Sequence, residues 1–159
     1  AAACRASREA DRSMEAGRGT SHTLRWIRPR GRTSAPMEQD LYARIGEDGF
    51  ARLVAGFYRR VRQDELIGPL YPPLDWAGAE ERLRDFLVGR FGGPPRYVER
   101  RGHPRLRMRH NPFPIDQAAR DRWILLMGQS LDEAGLPAAE TEFLRRFFDE
   151  VATFLINRG

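Results

Sequence analysis

The stretch Arg101-Gly102-His103-Pro104-Arg105-Leu106-Arg107-Met108-Arg109-His110-Asn111-Pro112-Phe113-Pro114-Ile115 decides how this chain is read. It sets His110 at the end of a short arginine-rich run that Pro112 closes two residues later. A residue before proline is pushed out of the α region, so a helix through Leu106 must stop near Asn111. A histidine on a last helical turn, facing an open loop, suits a single axial bond to a metal cofactor. Haem needs only one such bond, because the porphyrin supplies four nitrogens itself. Against that, a lone helical histidine is by default a satisfied or solvated residue. His22 and His103, the other two histidines, fall in the N-terminal extension and between Gly102 and Pro104. Arg105, Arg107 and Arg109 strengthen the ligand reading, since arginine pairs well with haem propionates. They equally fit a solvated face or a phosphate-binding patch.

On either side the chain reads as helix. After a short helix around Asp40–Ile45, residues 48–63 carry Phe50, Leu53, Val54, Phe57 and Val61 at helical spacing, with Tyr58 beside them. Gly68-Pro69 and Pro72-Pro73 force a corner around Tyr71. Asp75 is placed to cap a helix from Trp76 to about Phe91, whose inner face holds Ala79, Leu83, Phe86 and Leu87. Gly92-Gly93-Pro94-Pro95 ends it, and a loop without period runs to Pro104. A long helix from about Asp116 bears Trp123, Leu126, Met127, Ser130 and Leu131, and stops at Gly135. Pro137 opens the last helix, with Leu144, Phe147, Phe148, Val151, Phe154 and Leu155 inside. No alternation suggests a sheet and no repeat is visible. The expected architecture is an all-α domain of about six helices.

A chain of 159 residues suits one domain that buries roughly two-thirds of its unfolded surface. No apolar run nears the ~18 residues of a membrane span. All 27 basic residues are arginine, and alanine, glycine and proline are plentiful. That pattern matches codon usage in a GC-rich genome, so arginine content alone says little about nucleic acids. Residues 1–36 hold eight arginines against Glu9, Asp11 and Glu15, a net +5, whereas residues 37–159 hold 19 arginines and 19 acids. The domain is therefore neutral and does not steer an anionic polymer.

The expected division is a disordered Arg-rich extension over 1–36 and a domain over 37–159, with Met37 as its natural start. The extension lacks the apolar core of a secretory signal, and its three acids argue against a transit peptide. The only cysteine is Cys4, in that extension, which excludes intrachain disulfides and thiolate-bound haem, iron–sulfur or zinc in the domain. A reducing cytoplasm is the setting this predicts, with no membrane partner.

Tyr58, Tyr71 and Trp123 each lie at an apolar face and carry one polar handle that needs a partner when buried. They fit ordinary core aromatics bonded to backbone or water. They also fit a polar cluster opposite His110 that donates hydrogen bonds to a gas on iron, with Ala79 and Leu83 leaving room beside it.

Several segments carry a resemblance: Leu41-Tyr42-Ala-Arg-Ile-Gly46, Phe57-Tyr58, Leu70-Tyr71-Pro72, Ala79-Glu-Glu-Arg-Leu83, Phe91-Gly-Gly-Pro94, Arg101 to His110, Pro112-Phe113, Arg120-Asp-Arg-Trp123 and Phe154-Leu-Ile-Asn157. From about Asp40 to Asn157 the chain resembles the group II truncated haemoglobins, short globins with a two-over-two helical sandwich around haem. The resemblance implies haem b held by His110 as the metal ligand. It implies Tyr58, Tyr71 and Trp123 on the distal side, with Ala79 and Leu83 as the small and apolar distal positions. Phe86 and Phe113 correspond to haem-packing aromatics, and Arg107 or Arg109, with Tyr97, to groups near the propionates. One departure is Gly46-Glu47 where the family usually has Gly-Gly, with Gly49 two residues later, so that corner is expected to be rearranged. The extension over 1–36 has no counterpart in the family.

The implied function is binding of dioxygen, nitric oxide or carbon monoxide, with slow oxygen release and a redox or protective role. Nitric oxide dioxygenase or peroxidase activity would need a separate reductase, since no flavin or nicotinamide motif is present. A homodimer is left open. The rival reading is a helical nucleic-acid-binding module using the Arg-rich extension, which predicts salt-dependent DNA affinity and a colourless protein. A sensor would need an output domain.

Overall fold

Six α-helices and one 3-10 turn carry residues 35–159, the part of the chain described by this computed structural model, with no strand among the described residues. In order they are α1 (Ala35–Val61), the 3-10 turn Gly68–Leu70, α2 (Trp76–Arg90), α3 (Arg96–Arg101), α4 (Leu106–His110), α5 (Gln117–Glu133) and α6 (Ala138–Phe154). The expected disorder of the extension lies outside the described residues, except that Ala35 and Pro36 open α1. No helix among the described residues is long and apolar enough to cross a membrane.

The two helices expected around residues 40 and 48 are both present, meeting at a kink and taken together as α1. Gly46, at φ 67° and ψ 175°, leaves the helical region and turns the axis. Glycine adopts that conformation without the Cβ clash other residues suffer. Glu47, the unusual residue of this corner, accepts from Tyr42 Oη at 3.3 Å and pairs with Arg96, tying the bend to α3.

Beyond the kink, Phe50, Leu53, Val54, Phe57 and Val61 recur every three or four residues and are all fully buried. Burying each such side chain contributes about 1.5–3 kcal/mol, so this stripe fixes how α1 lies. It packs on α2 and on α5, and α5 packs on α6, giving two helix pairs joined through α1. Phe91 knits them: its ring stacks on Phe50 at 6.0 Å and meets Phe147 edge-on at 4.9 Å. Gly92 follows at φ 95°, with the Gln39 backbone pressed so close that an added Cβ would sit 2.1 Å from the Gln39 carbonyl oxygen. The start of α1 is held there by Tyr42 N–H donating to the Phe91 carbonyl at 2.9 Å.

The ends of α5 follow their sequence signals. Asp116 accepts from the Ala119 amide at 2.8 Å, and Gly135 lies just past the end at φ 65°. Three readings need correction. Asp75 does stand at the N-cap of α2, but its side chain makes no capping hydrogen bond there; its Oδ2 accepts from Arg82 at 2.7 Å. Residues 96–101 form helix α3 rather than loop; six residues are too few to show a period. Phe154 lies half-exposed at the end of α6, covered on one side by the Arg107 guanidinium at 5.5 Å.

Candidate haem site

Helix α4 has only five residues, and His110 is its last. It begins from Arg105 in the left-handed region at φ 40°, the single positive φ outside glycine among the described residues. It ends where the proline signal puts it, but Asn111 itself remains helical at φ −56° and ψ −34°. The stop comes from the missing N–H of Pro112, not from a displaced Asn111.

The imidazole of His110 is half-buried, and its Nδ1 lies 2.7 Å from the Leu106 carbonyl one turn back. A carbonyl only accepts, so Nδ1 carries the proton and Nε2 keeps its lone pair. Burial pushes this imidazole below the ordinary histidine pKa, partly opposed by the Leu106 hydrogen bond. A neutral ring with one nitrogen tied back and the other free is how metal-ligating histidines are prepared. Among the described residues no three His, Cys, Asp or Glu side chains converge as a metal cage. A metal bound by His110 must therefore bring most of its own donors, as haem does.

The neighbouring arginines differ from each other. Arg109 is half-buried, donates Nη2 to the Arg101 carbonyl at 2.9 Å, and has an enclosed Nε without a partner. Arg107 is exposed and spends its side chain on Phe154, donating Nη1 to that carbonyl at 3.5 Å. Neither pairs with a carboxylate among the described residues. Two guanidinium groups close to His110 with no such carboxylate partner fit an anionic propionate through their remaining nitrogens, the enclosed Arg109 Nε excepted.

The predicted distal residues do converge. Trp123 Nε1, on α5, donates to Tyr71 Oη at 3.2 Å. Tyr58 meets Tyr71 edge-on at 5.7 Å and is almost fully buried, yet its hydroxyl has no hydrogen-bond partner among the described residues. Burial, then the neighbouring Tyr71, pushes the Tyr58 phenol far up. Burial pushes Tyr71 up to about 12, with the Trp123 hydrogen bond acting in the opposite sense. Phe57 and Phe148 hold the Trp123 indole from two sides, at 4.9 and 5.6 Å. Ala79 is buried and Leu83 half-buried on α2, both packed with this core.

Phe86 and Tyr97 form a separate pair, edge to face at 5.8 Å between α2 and α3. Phe113 follows His110 in the chain and donates its N–H to the His110 carbonyl at 3.0 Å. No hydrogen bond among the described residues links His110 to the Tyr58–Tyr71–Trp123 cluster. Two residues escaped the sequence reading. Trp76 stacks on Tyr71 at 5.8 Å, and an open cleft of about 340 Å³ reaches both rings from outside. Asn157 grips the turn after His110, a long-range contact that leaves no periodic trace.

The bacterial-like globin family matches residues 40–157. The group 2 truncated hemoglobin YjbI of Bacillus subtilis (strain 168) is 38% identical over 117 residues, covering 74% of this chain and 88% of that protein. The haemoglobin of the thermophilic phototroph Chloroflexus aurantiacus superposes with a TM-score of 0.72 at 44% identity, covering 74% of this chain and 98% of that one. A structure described as truncated oxygen-avid haemoglobin from Bacillus subtilis gives 0.70 at 38% identity, covering 73% and 98%. With a helical core, a tied-back histidine and an aromatic hydroxyl cluster arranged on this scaffold, the chain belongs to the bacterial-like globin family and is similar throughout its domain to the group 2 truncated haemoglobins.

Proposed function

We propose that this chain holds haem b through His110 Nε2, binds dioxygen, nitric oxide or carbon monoxide, and releases oxygen slowly. The observation that carries the reading is the 2.7 Å contact of His110 Nδ1 with the Leu106 carbonyl, which leaves one nitrogen for one bond. Haem, when bound, supplies the iron that takes the diatomic ligand.

The chain supplies the donors. Trp123 donates its one N–H to Tyr71 Oη, which keeps its own proton to donate, and Tyr58 has an unengaged hydroxyl. A hydrogen bond to a charged acceptor contributes about 1.5–3 kcal/mol, which slows departure on the order of 10- to 100-fold. Slow release serves transport poorly and suits a protective or redox role with an external reductase. The description of a related structure as oxygen-avid points the same way. The neutral domain gives no support to the nucleic-acid alternative.

Absorption spectra of purified protein, before and after dithionite and carbon monoxide, test the proposal. Wild type is expected to show a haem band that carbon monoxide shifts. His110→Ala is expected to lose the axial-nitrogen signature and to regain it with added imidazole. A chain that stays colourless when hemin is supplied sinks the reading.

A further inference from the structure

The five residues of α4 are too few to persist by themselves, since a helix this short has scarcely closed its first turns. Something else must hold the backbone of His110, and the amide of Asn157 is placed to do it. Its Nδ2 donates to the His110 carbonyl at 3.2 Å and to the Phe113 carbonyl at 3.0 Å. Its Oδ1 accepts from the Ile115 amide at 3.1 Å. Two carbonyls on one side and an N–H on the other fix the orientation of the amide without ambiguity. The Asn157 and Arg158 amides add bonds to the Ile115 carbonyl at 2.9 and 3.1 Å.

The consequence is a two-point mount. Leu106 holds the His110 ring from the turn before it, and Asn157 holds the His110 carbonyl from the turn after it. The Phe113 N–H shares that same carbonyl at 3.0 Å, so Asn157 also fixes the path of the 110–115 turn. No other side chain among the described residues hydrogen-bonds that carbonyl. We infer that Asn157 is a positioning residue for the iron-binding imidazole: its amide sets the direction in which His110 Nε2 points without touching the cofactor. This rests on the haem reading above.

Two near-isosteric or smaller variants separate the donations from the acceptance. Asn157→Asp keeps an oxygen for the Ile115 N–H but sets a carboxylate against two carbonyls. Asn157→Ala removes all three side-chain bonds. Hydrogen–deuterium exchange on haem-free protein is one readout: Asn157→Ala is expected to speed exchange at Ile115 about tenfold, and Asn157→Asp to leave it protected. The second readout is the iron–histidine stretching band of the reduced haem protein, together with the rate of haem loss to an excess acceptor. Both variants are expected to move the band and speed haem loss, while Arg158→Ala leaves both as in wild type. Helical circular dichroism is recorded for each.

The proposal is overturned if both variants keep the wild-type band and haem-loss rate, or if both lose their helical signal and so prove Asn157 a general staple. Absence of an iron–histidine band in wild type would instead overturn the haem reading, and the positioning role with it; the exchange result on haem-free chain would still report the clamp.

Discussion

Trp123 Nε1 and Tyr71 Oη meet at 3.2 Å across 52 residues of sequence, joining α5 to the corner before α2. The contact spends the only proton the indole has and leaves the Tyr71 proton to be directed elsewhere. Replacing Trp123 by Phe removes the donor that orients the Tyr71 hydroxyl while keeping much of the packing against Phe57 and Phe148. Oxygen dissociation measured by stopped-flow is expected to quicken on the order of 10- to 100-fold. An unchanged rate would mean that the Trp123–Tyr71 contact does not govern ligand release.

Tyr58→Phe separates function from stability. Its side chain is almost fully buried, but its hydroxyl makes no hydrogen bond among the described residues and is not an enclosed polar atom, so removing it breaks no protein contact. The variant is therefore expected to unfold at the same temperature as wild type or higher, yet to release oxygen faster. A lower melting temperature would show that the hydroxyl has a stabilising partner.

Alkaline titration reads the burial of Tyr71. With its phenol at about 12, against 10 when unfolded, the folded chain binds more protons across that window. Its contribution is complete below pH 10 and is lost as pH rises through about 12. Phenolate absorbance of haem-free protein should show a late step that Tyr71→Phe abolishes. Trp123→Phe should move it later still, because the indole hydrogen bond pulls the phenol down.

Two glycines in left-handed conformations should respond unequally to alanine. At Gly46, φ is 67° and nothing lies within 4 Å of an added Cβ, so the cost is the backbone strain alone, about 1–3 kcal/mol. At Gly92, φ is 95° and the Cβ meets the Gln39 carbonyl oxygen at 2.1 Å, which neither backbone can relieve without moving α1. Thermal unfolding is expected to show a loss of about 3 kcal/mol or more there. Equal losses at both positions would contradict this packing of α1 against the end of α2.

The sequence spoke where local rules dominate. The apolar stripe of α1, the start of α5 near Asp116 and the Gly135 stop each depend on residues within a turn or two of one another. The break at Gly46 was equally local, visible as a glycine between two short apolar periods. What stayed hidden depends on distant partners. Asp75 reads as a cap until Arg82 is seen to claim it. Trp76 reads as a helix start until Tyr71 folds onto it. Arg96 to Arg101 hold too few apolar residues for a period, and that helix is anchored by buried Asp85, which accepts from Arg96 and Arg100, both at 3.2 Å. Of the candidate site, the apolar faces of Tyr58, Tyr71 and Trp123 were legible and those three side chains do meet, but the partners of Arg107 and Arg109 lie on distant segments and leave no local trace.

The Asn157 grip has a temporal side. It lies 47 residues downstream of the histidine it braces. At synthesis rates of about 5–20 residues per second, the ribosome delivers His110 roughly 2 to 9 seconds before its brace exists. A nascent chain in that interval presents an imidazole on an unsupported turn, so durable capture of the cofactor belongs to the moments after residue 157 has emerged.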